Sequence, residues 1–221
     1  MDRSSPLAID RLCAKEPRFA ELRRRNGEPP DWRRPATFGT LTLLVLEQQV
    51  SLASARAAFH RLVDVIGDPV EPARFLPLGD GRLREIGFSR QKASYVRGIA
   101  DRLVAGSLDL DHVASLDTER AVEALTDLRG VGPWTAACWT LFVNGAPDIW
   151  PSGDRALYVS IRNVFDLPDV PRRDEADALA TAWRPDRSVA ARMLWHDYLG
   201  GRSYRRPDGD GFLDTPGMVH P

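Results

Sequence analysis

Two glycines one residue apart, Gly130 and Gly132, separate an amphipathic segment ending at Leu128 from another opening at Pro133. This suits a tight hairpin between two helices. Both glycines are expected to supply backbone angles that other residues avoid. Pro133 fits a first helical position, whose amide hydrogen would lack a partner anyway. A glycine hairpin feeding a helix N-terminus turns several free backbone N–H groups toward one point, which makes a site for a phosphate.

The rest of the chain reads as helices. Residues 1–35 are rich in arginine and broken by Pro17, Pro29, Pro30 and Pro35, with one short helix expected around Asp10 to Arg24. From Thr40 an apolar run, Leu41 to Leu46, predicts a buried helix that ends in Glu47-Gln48-Gln49-Val50-Ser51. Leu52, Ala55, Phe59, Leu62 and Ile66 recur at helical spacing up to Gly67. Short helical pieces follow around Pro77 and Gly79. Ser89 then caps a helix expected over Arg90 to Ala105, and Asp117 or Thr118 caps one that delivers the chain to the hairpin. Beyond the hairpin, Trp134, Cys138 and Leu141 share a face of a helix running to about Asn144. A loop, Ala146 to Gly153, then brings Asp154 to the start of another helix. Two more are expected at about Asp174 to Trp183 and Ser188 to Leu199, and an irregular tail from about residue 207. No strand alternation of useful length occurs, so the expected fold class is all-α.

Composition narrows the chemistry. Cys13 and Cys138 are the only cysteines, far apart, so neither a disulfide framework nor a four-cysteine metal or iron–sulfur site can be built. No apolar run approaches a membrane span, and no secretory signal is apparent, which suggests a cytoplasmic protein. The formal charge of -1 gives no general case for nucleic acid, so such binding would need a local concentration of cations. Lys15 and Lys92 are the only lysines, which leaves amine chemistry two candidates. From the residues alone, Asp154 is equally a helix cap and a functional carboxylate.

Four stretches, Leu46-Glu47-Gln48-Gln49-Val50-Ser51, Gly87 to Ala93, Leu128 to Ala136 and Trp183-Arg184-Pro185-Asp186-Arg187-Ser188, together with Asp154, resemble the helix-hairpin-helix (HhH-GPD) DNA glycosylase superfamily. Within it they are most similar to the 3-methyladenine DNA glycosylase II branch, in a compact form without an N-terminal β-domain. The resemblance implies a two-lobed helical bundle, with a central lobe over about 40–148 and a second lobe from 1–39 plus 149–221. It implies that Asp154 is the catalytic carboxylate, stabilising positive charge at the sugar C1′ or positioning water.

The resemblance also assigns a base pocket to Trp134, Trp183, Cys138 and Gln48. An indole can stack on a flipped base and attract a cationic alkylated purine. Core packing is the alternative for the tryptophans, and a small buried thiol for Cys138. Trp134 stands where lyase-type relatives carry a Schiff-base lysine, which implies a monofunctional enzyme that leaves the strand uncut. DNA contacts are implied for Arg129, Gly130, Val131, Gly132 and Thr135 at the hairpin, and for Arg90 and Lys92. Gln49 is implied to fill the gap left by the flipped nucleotide; the alternative for Gln48 and Gln49 is a helix C-terminus satisfying its own carbonyls. No cofactor is implied beyond a structural sodium or potassium ion at the carbonyls of Leu128 and Val131, and no catalytic metal. The implied partner is double-stranded DNA containing a damaged base, bound by a monomer away from membranes. Uracil, hypoxanthine or mismatched-base removal, or non-enzymatic binding of damaged DNA, are the alternatives. Two positions depart from the family pattern: Glu47 replaces a small residue, and Arg155 directly follows the aspartate.

Overall fold

The computed structural model describes residues 4–200, and the expected tail from residue 207 lies outside them. Among the described residues the regular structure is entirely helical. The chain divides into two compact units, one formed by residues up to Trp32 with those from Gly145 onward, the other by Arg33–Asn144. The sequence-based boundaries at 40 and 148 therefore shift to 33 and 144. The physical reason is that Arg34 N–H donates to the Phe142 carbonyl at 2.9 Å, and the Arg34 guanidinium lies over the Phe142 ring at 5.4 Å.

The Arg33–Asn144 unit is built on α3 (Phe38–Glu47), every residue of which is buried. A helix buried on every side, with its polar residues Thr40, Thr42 and Glu47 enclosed as well, has no solvent face to offer and becomes a core axis. Thr37 caps it, its hydroxyl accepting from Thr40 N–H at 3.2 Å. Packed on or near it are α4 (Leu52–Ile66), α5 (Pro72–Phe75), α6 (Asp80–Ile86) and α7 (Arg90–Val104). Helix α4 buries Ala55, Ala58, Phe59, Leu62 and Ile66, and α7 buries Ala93, Val96, Ile99 and Ala100, each set on one face. Serine caps open both, Ser51 accepting from Ser54 N–H and Ser89 from Lys92 N–H. Then come α8 (Leu110–Ser115), α9 (Thr118–Thr126) and α10 (Pro133–Trp139). The helix expected to run on to Asn144 changes at Thr140 into a π-helical turn, Thr140–Asn144. The Thr140 hydroxyl donates back to the carbonyls of Ala136 and Ala137, both at 3.0 Å, a local competition with the regular ladder.

The other unit joins α1 (Ser4–Lys15) and α2 (Pro17–Asn26) to α11 (Arg155–Val164), α12 (Arg173–Thr181) and α13 (Arg187–Tyr198). Helix α13 packs against α1, α2, α11 and α12. The single helix expected over Asp10 to Arg24 is two helices, because Pro17 cannot continue the ladder of the first and opens the second. Glu16 caps the second by accepting from Arg18 N–H at 3.1 Å. Phe19, Trp150, Phe165 and Trp183 form an aromatic cluster with ring centroids 5.1–6.2 Å apart.

Candidate functional site

The glycine turn is shaped by contacts within its own unit. Gly130 adopts φ +92°, and a Cβ there would fall 2.1 Å from Cγ of Tyr95, so both backbone conformation and close approach require glycine. Gly132 differs from expectation: its φ of -89° is ordinary, and a Cβ would meet no protein atom within 4 Å. Leu128 and Val131 are buried, with Val131 N–H donating to the Leu128 carbonyl at 2.9 Å, while Arg129 and Gly132 are exposed. The Arg129 guanidinium lies 6.0 Å from the centroid of Tyr95.

The turn after α3 is fastened to this hairpin. Gln48 Nε2 donates to the Gly130 carbonyl and to the Thr135 hydroxyl, both at 2.9 Å. The Gln48 amide is thereby committed to the hairpin, and the Thr135 oxygen already accepts a hydrogen bond. Lys92 turns inward rather than toward solvent. Its Nζ donates to the carbonyls of Leu46 and Gln48, each at 2.7 Å. Burial pulls the Lys92 pKa down to about 8, against an opposing pull from the Glu47 carboxylate. Gln49 follows with φ +56°, in the left-handed region, and is exposed. Arg90, at the start of α7, is also exposed.

Glu47, the departure from the family pattern, has a structural account. Its side chain and that of Arg34 are both fully buried, with Arg34 Nη2 3.3 Å from Glu47 Oε1. Burial lowers the arginine's pKa while the glutamate's charge and hydrogen bond raise it. Each charge is tolerated because the other is present. Trp134 and Cys138 are buried one turn apart on α10.

Asp154 belongs to the other unit. It is fully buried and is the N-cap of α11, its Oδ1 accepting from Leu157 N–H at 3.0 Å. A carboxylate has two oxygens and about four acceptor positions, so the cap does not use up its chemistry. The loop leading to it is pinned along its length. Asp148 is gripped by Arg187, Ile149 N–H donates to the Ser188 hydroxyl at 3.0 Å, and Trp150 Nε1 donates to Asp177 Oδ1 at 2.9 Å. Ser152 Oγ donates to Asp177 Oδ2 at 2.6 Å, and Gly153, at φ +91°, donates its N–H to the Tyr158 hydroxyl at 2.6 Å. Arg155 points into solvent.

The Trp183 to Ser188 stretch packs on and fastens this loop. Trp183 is buried in the aromatic cluster, 5.5 Å from Trp150 in the loop, and Arg187 and Ser188 fasten the same loop. Asp177 and Tyr158 were missed from sequence. Both lie on helices whose periodicity marks an inward face without revealing which polar groups a loop will meet.

Among the described residues no three histidine, cysteine or acidic side chains form a cluster able to hold a metal ion. No described helix is long and apolar enough to cross a membrane.

Comparison with known proteins adds independent findings. The profile of the HhH-GPD superfamily of base excision DNA repair proteins matches residues 43–185. A DNA-3-methyladenine glycosylase of Bacillus subtilis is 28% identical over 172 residues, covering 73% of this chain and 57% of the relative. YfjP of the same organism is 28% identical over 167 residues, covering 72% and 58%. The chain therefore spans less than three fifths of the length of either. The Schizosaccharomyces pombe 3-methyladenine DNA glycosylase Mag1, solved with abasic DNA, superposes with a TM-score of 0.81 at 22% identity, covering 90% of this chain and 99% of that one. That likeness establishes a shared fold.

Proposed function

From the premise that this chain belongs to the HhH-GPD superfamily of base excision DNA repair proteins, we propose that it is a monofunctional DNA glycosylase that hydrolyses the N-glycosidic bond of an alkylated purine, of the 3-methyladenine type, in duplex DNA. The observation that carries this reading is Asp154, a fully buried carboxylate at the end of a loop held by hydrogen bonds at nearly every residue. A carboxylate fixed in this way is preorganised to stabilise developing positive charge without rearranging. The names of the Bacillus and Schizosaccharomyces relatives support the substrate class.

In the reaction, the bond between C1′ and the purine nitrogen breaks with its electron pair going to the base. A cationic alkylated purine thereby departs neutral, and positive charge develops on the sugar. Asp154 faces that charge. Water then adds to C1′ and releases a proton, leaving an abasic sugar and an intact strand. Trp134, beside Cys138 on α10, is the proposed stacking surface for the base. The absence of strand cleavage is supported by Lys92. Its depressed pKa would otherwise suit a Schiff-base amine, but its Nζ is engaged by two carbonyls.

Arg129 and the amides of Gly130, Val131 and Gly132 would meet a phosphate, and Gln49 would enter the space of the flipped nucleotide. A sodium or potassium ion suits the carbonyls of Leu128 and Val131, since each oxygen has two lone pairs and Leu128 has committed one to Val131. It would add positive charge beside the phosphate. The protein would work as a monomer in the cytoplasm.

The test is incubation with duplexes bearing a methylated purine, uracil, hypoxanthine or 8-oxoguanine, with abasic sites scored with and without alkali. Release of the methylated purine alone, with breaks only after alkali, is expected. Release of uracil or hypoxanthine instead would replace the substrate, binding without release would make the protein a damage binder, and breaks without alkali would overturn the monofunctional reading.

A further inference from the structure

We propose that Lys92 is a positioning residue for Gln49, holding the turn at the end of α3 so that Gln49 alone is presented to DNA. The inference rests on the reading of Gln49 as the residue that enters the helix gap. Four consecutive residues carry it. The Leu46 carbonyl is taken by Lys92, and the Glu47 carboxylate pairs with buried Arg34. Gln48 gives its carbonyl to Lys92 and its side chain to the hairpin. Gln49 is the exposed member of the four and sits at φ +56°.

A left-handed non-glycine residue is unfavourable unless its neighbours fix it. The Gln48 carbonyl is the group directly before that residue, and Lys92 holds it at 2.7 Å. A single ammonium bridging the carbonyls of Leu46 and Gln48 also supplies partners and positive charge at the C-terminus of α3. Releasing it would let the turn relax toward ordinary backbone angles and re-aim Gln49. The half-buried amine, with a pKa drawn down to about 8, has N–H groups to donate hydrogen bonds in either charge state.

A duplex with a tetrahydrofuran abasic analogue opposite 2-aminopurine reports entry of a side chain through the probe's emission. Wild-type protein should raise that emission on binding. Gln49→Ala should cut the rise several-fold, and Lys92→Met should cut it to a similar degree. Lys92→Arg should restore at least half of it, because a guanidinium can still reach two carbonyls. The double variant Gln49→Ala, Lys92→Met should lose no more than the worse single variant, since both act through one contact. Lys92→Gln provides the same comparison if Lys92→Met does not fold. The slope of log affinity against log salt should stay unchanged in each folded Lys92 variant.

If Gln49→Ala leaves the emission untouched, the reading of Gln49 falls. If Gln49→Ala abolishes the rise while Lys92→Met and Lys92→Gln keep it, the inference about Lys92 is overturned and the reading of Gln49 stands. Additive losses, or a salt slope lowered by about one, would also overturn it, the latter marking Lys92 as a phosphate contact instead.

Discussion

Arg187 holds Asp148 through two parallel hydrogen bonds, Nε to Oδ1 at 2.8 Å and Nη2 to Oδ2 at 3.0 Å, and its backbone N–H adds a third to Oδ1 at 3.2 Å. The fork anchors the loop six residues ahead of Asp154 to the first turn of α13. Burial raises the Asp148 pKa, but the hydrogen bonds and charge of Arg187, with the charge of Arg184, outweigh it and leave the pKa below the ordinary value. Arg187→Ala should destabilise the protein by about 1.5–3 kcal/mol at neutral pH. A carboxyl with a depressed folded pKa contributes stability above its unfolded pKa of about 3.9, and that contribution is lost as pH falls through the lower folded value. The gap between wild type and variant in urea unfolding should therefore be full at about pH 6 and shrink below about pH 4. A constant gap would mean that the pairing does not carry the effect.

Asp154 serves as a cap and as the proposed catalytic group, and two substitutions separate these roles. Asp154→Asn keeps an oxygen for Leu157 N–H, so the melting temperature should hold and DNA binding should persist. Single-turnover base release should fall at least about 100-fold. Asp154→Ala should add a stability loss of about 1 kcal/mol. Wild-type turnover by the asparagine variant would remove Asp154 from the mechanism.

The two hairpin glycines should respond differently to alanine. Gly130→Ala meets both the positive φ and the Tyr95 ring, and should destabilise the fold by more than about 2 kcal/mol, visible in thermal unfolding. Gly132→Ala meets no protein atom and has an ordinary φ, so stability should change by less than about 0.5 kcal/mol. Its DNA affinity should nevertheless drop if a phosphate approaches there. Unchanged affinity would remove Gly132 from the interface.

Glu47→Ala leaves the Arg34 charge buried without this partner, and a loss of about 3–5 kcal/mol is expected. Replacing both, as Arg34→Met with Glu47→Ala, should recover most of that loss, because the desolvation penalty disappears with the charges. Chemical denaturation of the two variants measures the difference. An equally unstable double variant would show that packing against Phe142, rather than charge balance, is what Arg34 supplies.

Much of the fold could be read from spacing. The inward faces of α4 and α7, the serine cap at Ser89 and the buried helix over Leu41 to Leu46 follow from hydrophobic pattern and capping chemistry. Helix α8, capped by Asp109 through His112 N–H, is short enough to show less than two turns of pattern and was not anticipated. The single short helix expected over Asp10 to Arg24 divides at Pro17, which lacks the N–H to continue α1 but suits the first position of α2. At the hairpin, sequence marked both glycines alike, whereas only Gly130 is constrained by the chain, since the Tyr95 ring that crowds it lies thirty-five positions away. Lys92 and Gln48 carry side chains whose residue type suggests solvent or ligand. That they close on backbone carbonyls of their own unit depends on long-range packing that no local pattern encodes.

The hydrogen bond from Arg34 to Phe142 closes a stretch of chain nearly as long as everything that flanks it. The stretch it closes is continuous, so as the polypeptide emerges from a ribosome this unit has all of its own helices once Asn144 has been made. The unit that carries Asp154 is split, and α1 and α2, which precede the continuous unit, pack on α13, the last described helix, which follows it. The faces of α1 and α2 that pack on α13 stay uncovered while the whole of the continuous unit between them is made. The aspartate's surroundings are thus completed only after the continuous unit has been made.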